Sequence, residues 1–172
     1  MAEGNRPVRT RRYEIQVEGY LELGMAEQAL RTLARLGQEA SLGPHALYLQ
    51  GEALRTLERY DEALAPLGQA AALSPKSVHL WLAIGWCRKR TGQIDLAIEA
   101  LERAVQIGPD DALNHYNLAC YLSLNGQKER ALAHLAQALK IDPSYRHLVD
   151  DEPDFDPLRS DPDFRALTSI IV

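Results

Sequence analysis

Cysteine is scarce: Cys87 and Cys120 are the only two in 172 residues. They lie far apart and lack the C-x-x-C spacing of a metal site. Reduced thiols in or near a core, in a reducing compartment, are the expectation. No stretch approaches the roughly 18 consecutive apolar residues that a membrane helix needs. The first residues, Met-Ala-Glu-Gly-Asn-Arg-Pro-Val-Arg, carry no apolar run of the kind a secretory leader has, so a cytoplasmic location is expected. Excess positive charge is missing too. A net charge of −5 and a pI near 5.5 give no global attraction for nucleic acid or an anionic membrane. There is no phosphate-cradling glycine loop, nucleophile elbow or zinc-protease helix motif. The acids from Asp150 to Asp156 lack the alternating ligands and the glycine of a calcium loop. Catalysis, a metal and a cofactor are therefore not expected. What remains, 46% hydrophobic and 25% charged, is the composition of an ordinary soluble globular protein.

What is present is a period. Pro75, Pro109 and Pro143 stand 34 residues apart, and the stretches before them read alike. Ala63, Ala97 and Ala131 share that spacing, as do Leu67, Leu101 and Leu135, and Ala70, Ala104 and Ala138. Set in register from Pro44, Val78 and Ala112, each 34-residue unit holds one helical pattern (A) over its first 14 positions and a second (B) from about position 17. Position 8 is small (Gly51, Gly85, Ala119), so helices A and B can approach closely. Position 4 is large (Leu47, Trp81, His115) and fills space between neighbouring helices. His115 should pack there with one nitrogen bonded. Gly92 and Gly126 stand in the A-to-B turn, where positive φ costs glycine little. Pro66 falls inside a B helix and should bend it. A worn earlier unit runs from Thr10 to Gly43, with Tyr13, Val17, Gly24, Ala29, Leu33 and Leu36 in register.

Two helical patterns and a proline in 34 residues resemble the tetratricopeptide repeat. The resemblance implies an all-α fold, a right-handed α-solenoid of about four helix-turn-helix units closed by a C-terminal cap. The units would be 10–43, 44–77, 78–111 and 112–145, after a flexible stretch over 1–9. Residues 146–172 carry Asp-Phe-Asp-Pro-Leu-Arg-Ser-Asp-Pro-Asp-Phe, which resembles the D-F-x-x-L-R-x-D-P-x-F tail of many bacterial proteins of this family. Phe155, Leu158, Phe164 and Leu167 would cover the last helix pair, with Asp161 capping a final helix that has Pro162 at its first position. A disordered acidic tail is the alternative, and the spaced aromatics argue against it.

In such arrays, positions 2, 5, 6, 9, 12 and 13 of each A helix face the concave groove. The candidate partner-binding residues are His45, Tyr48, Glu52, Arg55, His79, Leu82, Trp86, Lys89, Arg90, Tyr116 and Asn117. Trp86 is the sharpest of them. With Tyr48 and Tyr116 it would make an aromatic floor rimmed by Arg55, Lys89 and Arg90, whereas the plainer reading packs it against neighbouring A helices. The floor suits a ligand with apolar or aromatic anchors and some negative charge, although Glu14, Glu18 and Glu22 make the first repeat acidic. The clamp with which some relatives grip a chaperone's C-terminal carboxylates needs Lys, Asn and Arg where this chain has Tyr48, Glu52, Ala83 and Leu113. His45 and His79, both at position 2, have no further metal ligand placed by the pattern. His134 and His147 have no partner by spacing.

The resemblance implies a non-catalytic scaffold or adaptor, monomeric by default, that holds a protein or peptide partner in its groove. No nucleic acid or membrane partner is expected. A small secretion-type chaperone that shields a client segment is the alternative. RNA binding by a 35-residue helical relative fits neither the 34-residue period nor the acidic pI. Assembly of an enzyme complex in trans reads the same as a scaffold.

Overall fold

A computed structural model describes residues 6–39 and 41–169, and every regular element among them is helical. The main helices are α1 (Arg6–Glu22), α2 (Ala26–Glu39), α3 (Pro44–Thr56), α4 (Tyr60–Leu73), α5 (Val78–Arg90), α6 (Ile94–Ile107), α7 (Ala112–Leu124) and α8 (Lys128–Ile141). The tail adds a short 3-10 turn (Pro143–Tyr145), α9 (Arg146–Val149), a second 3-10 segment (Pro153–Leu158) and α10 (Pro162–Thr168). A helices begin at Pro44, Val78 and Ala112, and B helices at Tyr60, Ile94 and Lys128. The sequence period is thus the period of the backbone. Helix α1 already starts at Arg6, inside the stretch expected to be flexible, and residues 1–5 of that stretch lie outside the described residues. No helix among the described residues is long and apolar enough to cross a membrane.

The chain divides into two compact units, one running to Thr91 and the other starting at Gly92. In the first, α1, α3 and α5 are A helices, with α2 and α4 as their B partners. Val17, Ala29, Leu33 and Leu36 pack with Ala46, Leu49 and Ala53. A second cluster joins Leu47, Leu54, Ala63, Leu67 and Ala70 to Leu80, Ala83 and Cys87. Position 8 shows why the sequence is small there: a Cβ on Gly51 would lie 2.5 Å from the Leu67 side chain. Real Cβ atoms do not come that close, so the α3–α4 approach depends on glycine. The turns bear out the same logic, with φ of +70° to +75° at Gly24, Gly92 and Gly126. In the second repeat that turn position is Glu58, a non-glycine residue held at φ +57°. Helix α4 continues through Pro66, which is buried in it.

In the second unit α6 packs on α7, and α7 on α8. Leu101, Leu118, Leu122, Ala131, Leu135 and Ala138 are essentially inaccessible. Position 4 reveals a rule that spans both units. In the first, Trp81 Nε1 donates to the Pro75 carbonyl at 2.9 Å. In the second, His115 Nε2 meets the Pro109 carbonyl at 2.8 Å. A carbonyl only accepts, so Nε2 carries the proton, and histidine reproduces the indole N–H. His115 then uses its other nitrogen as well: Nδ1 lies 2.9 Å from His134 Nδ1, and the rings stack with centroids 5.2 Å apart. With Nδ1 of His115 unprotonated, His134 is the donor. Both nitrogens of His115 are engaged, where the sequence pointed to one, and His134 has the partner its spacing did not reveal.

The tail is folded onto this unit. Phe155 is fully buried, and Leu158 and Phe164 nearly so, while Leu167 is only part-buried. Asp161 caps α10 by accepting from the N–H groups of Asp163 and Phe164, with Pro162 in the first turn. Its carboxylate also holds Lys128 of α8 at 2.5 Å. Arg159 donates to the carbonyl of Glu152, and Arg146 to those of Leu167 and Ser169. Burying each such phenylalanine is worth about 1.5–3 kcal/mol, so an acidic segment can still be drawn onto the helices.

Candidate partner-binding face

The A helices of the first unit lie side by side, α3 touching both α1 and α5. Their non-core stripes form one surface, and the candidate residues of α3 and α5 line it. At the N-terminal ends, His45, Tyr48 and His79 border a cleft of about 380 Å³ with Pro44, Ser74, Ser77 and Leu80. The two histidines, placed together by their shared position, do face one cleft. His45 Nε2 is already engaged, 2.7 Å from Glu18 Oε1 on α1. Among the described residues no three His, Cys, Asp or Glu side chains group as a metal site would require. Tyr48 is half-buried, and its phenol is pushed up by that burial and by Glu52, with Arg55 opposing.

At the C-terminal ends the surface is organised by Trp86, which is part-buried against the α3–α5 core. The Arg55 guanidinium lies over its ring, 4.6 Å from the centroid, and the Arg90 guanidinium lies 5.7 Å from it. Such cation–π contacts contribute about 0.5–2 kcal/mol, more where water is excluded. Arg55 Nη1 donates to Glu52 Oε1 at 3.1 Å, while its Nε is buried without an acceptor among the described residues. Partial burial raises the Glu52 carboxyl above the usual carboxylate range, an effect that Arg55 partly offsets. Cys87, beneath them, is wholly buried; burial lifts its thiol to about 11, with Arg55 pulling down and Glu52 pushing up. It is a neutral core thiol. Leu82 and Lys89 are part-buried on the same helix, and Arg90 and His79 are exposed.

Two corrections concern the aromatic floor. Tyr116, expected on an open groove, is 5% exposed. Its ring sits 5.1 Å from that of Tyr145 and 5.7 Å, edge-on, from that of Phe155, so the tail covers it. Burial raises its phenol strongly, and among the described residues the hydroxyl has no hydrogen-bond partner. Asn117, beside it, is part-buried. The aromatic that does meet Trp86 is Tyr60, at 5.0 Å and 79° between planes, with Arg90 5.2 Å over the Tyr60 ring. The sequence offered little signal for Tyr60, because it opens α4 and is no A-helix position. A further cleft, about 480 Å³, lies against α2 and α4, lined by Leu30, Leu33, Leu42, Leu54, Pro66 and Gln69 among others.

Comparison with known proteins agrees with this architecture. Three family models, each described as tetratricopeptide repeat, match residues 16–78, 54–119 and 112–145. The solved structure of MamA 41-end from Desulfovibrio magneticus RS-1 is 25% identical, with a TM-score of 0.74 over 92% of this chain and 92% of its own. A double mutant of MamA RS-1 is 24% identical, with a TM-score of 0.78 over 91% of this chain and 88% of that one. YrrB, described as a TPR protein with an unusual peptide-binding site, is 22% identical, with a TM-score of 0.71 over 77% of this chain and 69% of its own. The matched segments together run from residue 16 to residue 145 and share the 34-residue spacing of the helix starts: over those residues this all-α chain carries tetratricopeptide repeats.

Proposed function

We propose that this protein is a non-catalytic interaction scaffold that holds a protein or peptide partner against the face shared by α3 and α5. The observation that carries this reading is Trp86, set on a rigid helix among Arg55, Arg90 and Tyr60. Tryptophan, tyrosine and arginine dominate interface hot spots because they bring large contact area at small entropic cost. The presence of a peptide-binding protein, YrrB, among the structural neighbours is consistent with it. Affinity capture with wild type beside Trp86→Ala and Arg90→Glu tests the reading. A partner held here weakens by about 2 kcal/mol, roughly 30-fold, with Trp86→Ala. A Gln69→Arg control, in the α2–α4 cleft, leaves it bound. Partners that survive Trp86→Ala and are lost with Gln69→Arg would move the site to the B helices.

A further inference from the structure

We infer that the Arg55–Trp86–Arg90 cluster is a carboxylate-recognition site, and that its partner is an acidic peptide segment with an apolar residue next to the recognised Asp or Glu. This rests on the proposed site and adds the chemistry of what it takes.

Two guanidinium groups converge on one indole ring, Arg55 from α3 and Arg90 from the last turn of α5. Each guanidinium has five N–H donors in a planar fork that suits a carboxylate. The donors outnumber the oxygens on hand. Arg55 spends Nη1 on Glu52 and keeps a buried Nε with no acceptor among the described residues. Arg90 is exposed, and it reaches the Tyr60 hydroxyl at only 3.4 Å, the long limit of a hydrogen bond. Basic residues in a last turn complement the helix dipole, which accounts for a cation at the end of α5. It does not account for the direction Arg90 takes, towards Trp86 and Tyr60. Stacking on the aromatics holds the side chain in place before a ligand arrives and reduces the ordering cost of binding.

Local charge sets the kind of anion. Glu52 neutralises part of Arg55, and Glu58, Asp61 and Glu62 line the neighbouring cleft beyond Tyr60 with Arg59 and Arg90. At the indole itself Arg55 and Arg90 less Glu52 leave one positive charge, which suits a singly charged carboxylate, while beyond Tyr60 the three acids outnumber Arg59. A doubly charged phosphate would meet these acids at higher cost, and a polyanionic nucleic acid more so. The apolar neighbour of the carboxylate has the part-exposed Trp86 to rest on.

The test uses the full chain and fluorescein-labelled dodecapeptides with a central Leu-Asp-Phe-Asp, the same peptide with both Asp changed to Asn, and a twin with phosphoserine in their place. Fluorescence anisotropy is read at about 50 and about 300 mM salt. The Asp peptide should bind about tenfold tighter than the Asn twin at low salt, and the difference should shrink at high salt. Arg90→Gln, at an exposed position, should abolish the preference while the protein stays folded, its melting midpoint lowered by no more than the few degrees that exposed cation–π contacts are worth, and Trp86→Ala should weaken both peptides. Equal binding of the Asp and Asn peptides, tighter binding of the phosphoserine twin, or no binding below about 1 mM by any of them overturns the carboxylate assignment. If both peptides bind equally and both are lost with Trp86→Ala, the proposed site stands and only its chemistry is wrong. If Trp86→Ala changes neither, the site itself fails.

Discussion

Tyr48 and Tyr116 occupy the same position of two repeats and meet opposite fates. Tyr48 on α3 stays half-exposed beside a cleft, in the unit where Trp86 and its arginines shape an open face. Tyr116 on α7 is closed over by Tyr145 and Phe155. The adjoining register position diverges too: Glu52 in the second repeat carries charge beside Arg55, and Cys120 in the fourth is buried. Register therefore assigns the side of the helix a residue stands on. Whether that side is surface depends on what the chain lays over it. Binding chemistry, by this reading, is confined to the repeats that the tail does not cover.

The largest test removes the cover. Phe155→Ala deletes a fully buried ring and should cost about 3–5 kcal/mol in urea denaturation. It should expose Tyr116 and leave peptide binding at Trp86 unchanged in whatever fraction stays folded. A loss below about 1 kcal/mol would show that the tail is no cap. Position 8 supplies the next contrast. Gly51→Ala forces a methyl into Leu67 and should destabilise by about 1–3 kcal/mol, although the fourth repeat carries alanine there naturally, at Ala119. Equal tolerance at the two sites would mean that the close approach is not specific to the second repeat.

Position 4 separates the units by pH. Trp81 does not titrate, whereas His115 is bonded to His134, whose ring is held below its usual 6.5 by burial first, then by His115 and Arg130, against Glu102. Below about pH 6.5 the unfolded chain therefore binds a proton that the native ring resists, so stability falls from there towards the lowered native value and levels off beneath it. Between about pH 7 and about pH 5 the melting midpoint should drop, and His134→Gln should flatten that dependence. An unchanged slope in the variant would place the acid sensitivity elsewhere. The smallest effect belongs to the turns. Glu58, at φ +57°, stands where Gly24, Gly92 and Gly126 stand in the other repeats, so Glu58→Gly should raise stability by up to about 1 kcal/mol. Gly126→Glu should lower it by a similar amount, both read as shifts of the urea midpoint.

The sequence by itself determined the helix pairs, their 34-residue spacing, the small residues at Gly51 and Ala63, the turn glycines and the Asp161 cap. Each of these depends on backbone conformation or on contacts inside one repeat, and such constraints leave residue types at fixed spacing. It did not determine that Tyr60 meets Trp86, that Arg55 stacks on the same ring, that His115 pairs with His134, or that the tail buries Tyr116. These contacts join side chains from different helices, and many residue types at either end satisfy the period equally well. Only the packed structure, where each side chain meets what lies across from it, decides which positions of the repeated stripe become core and which remain free to bind.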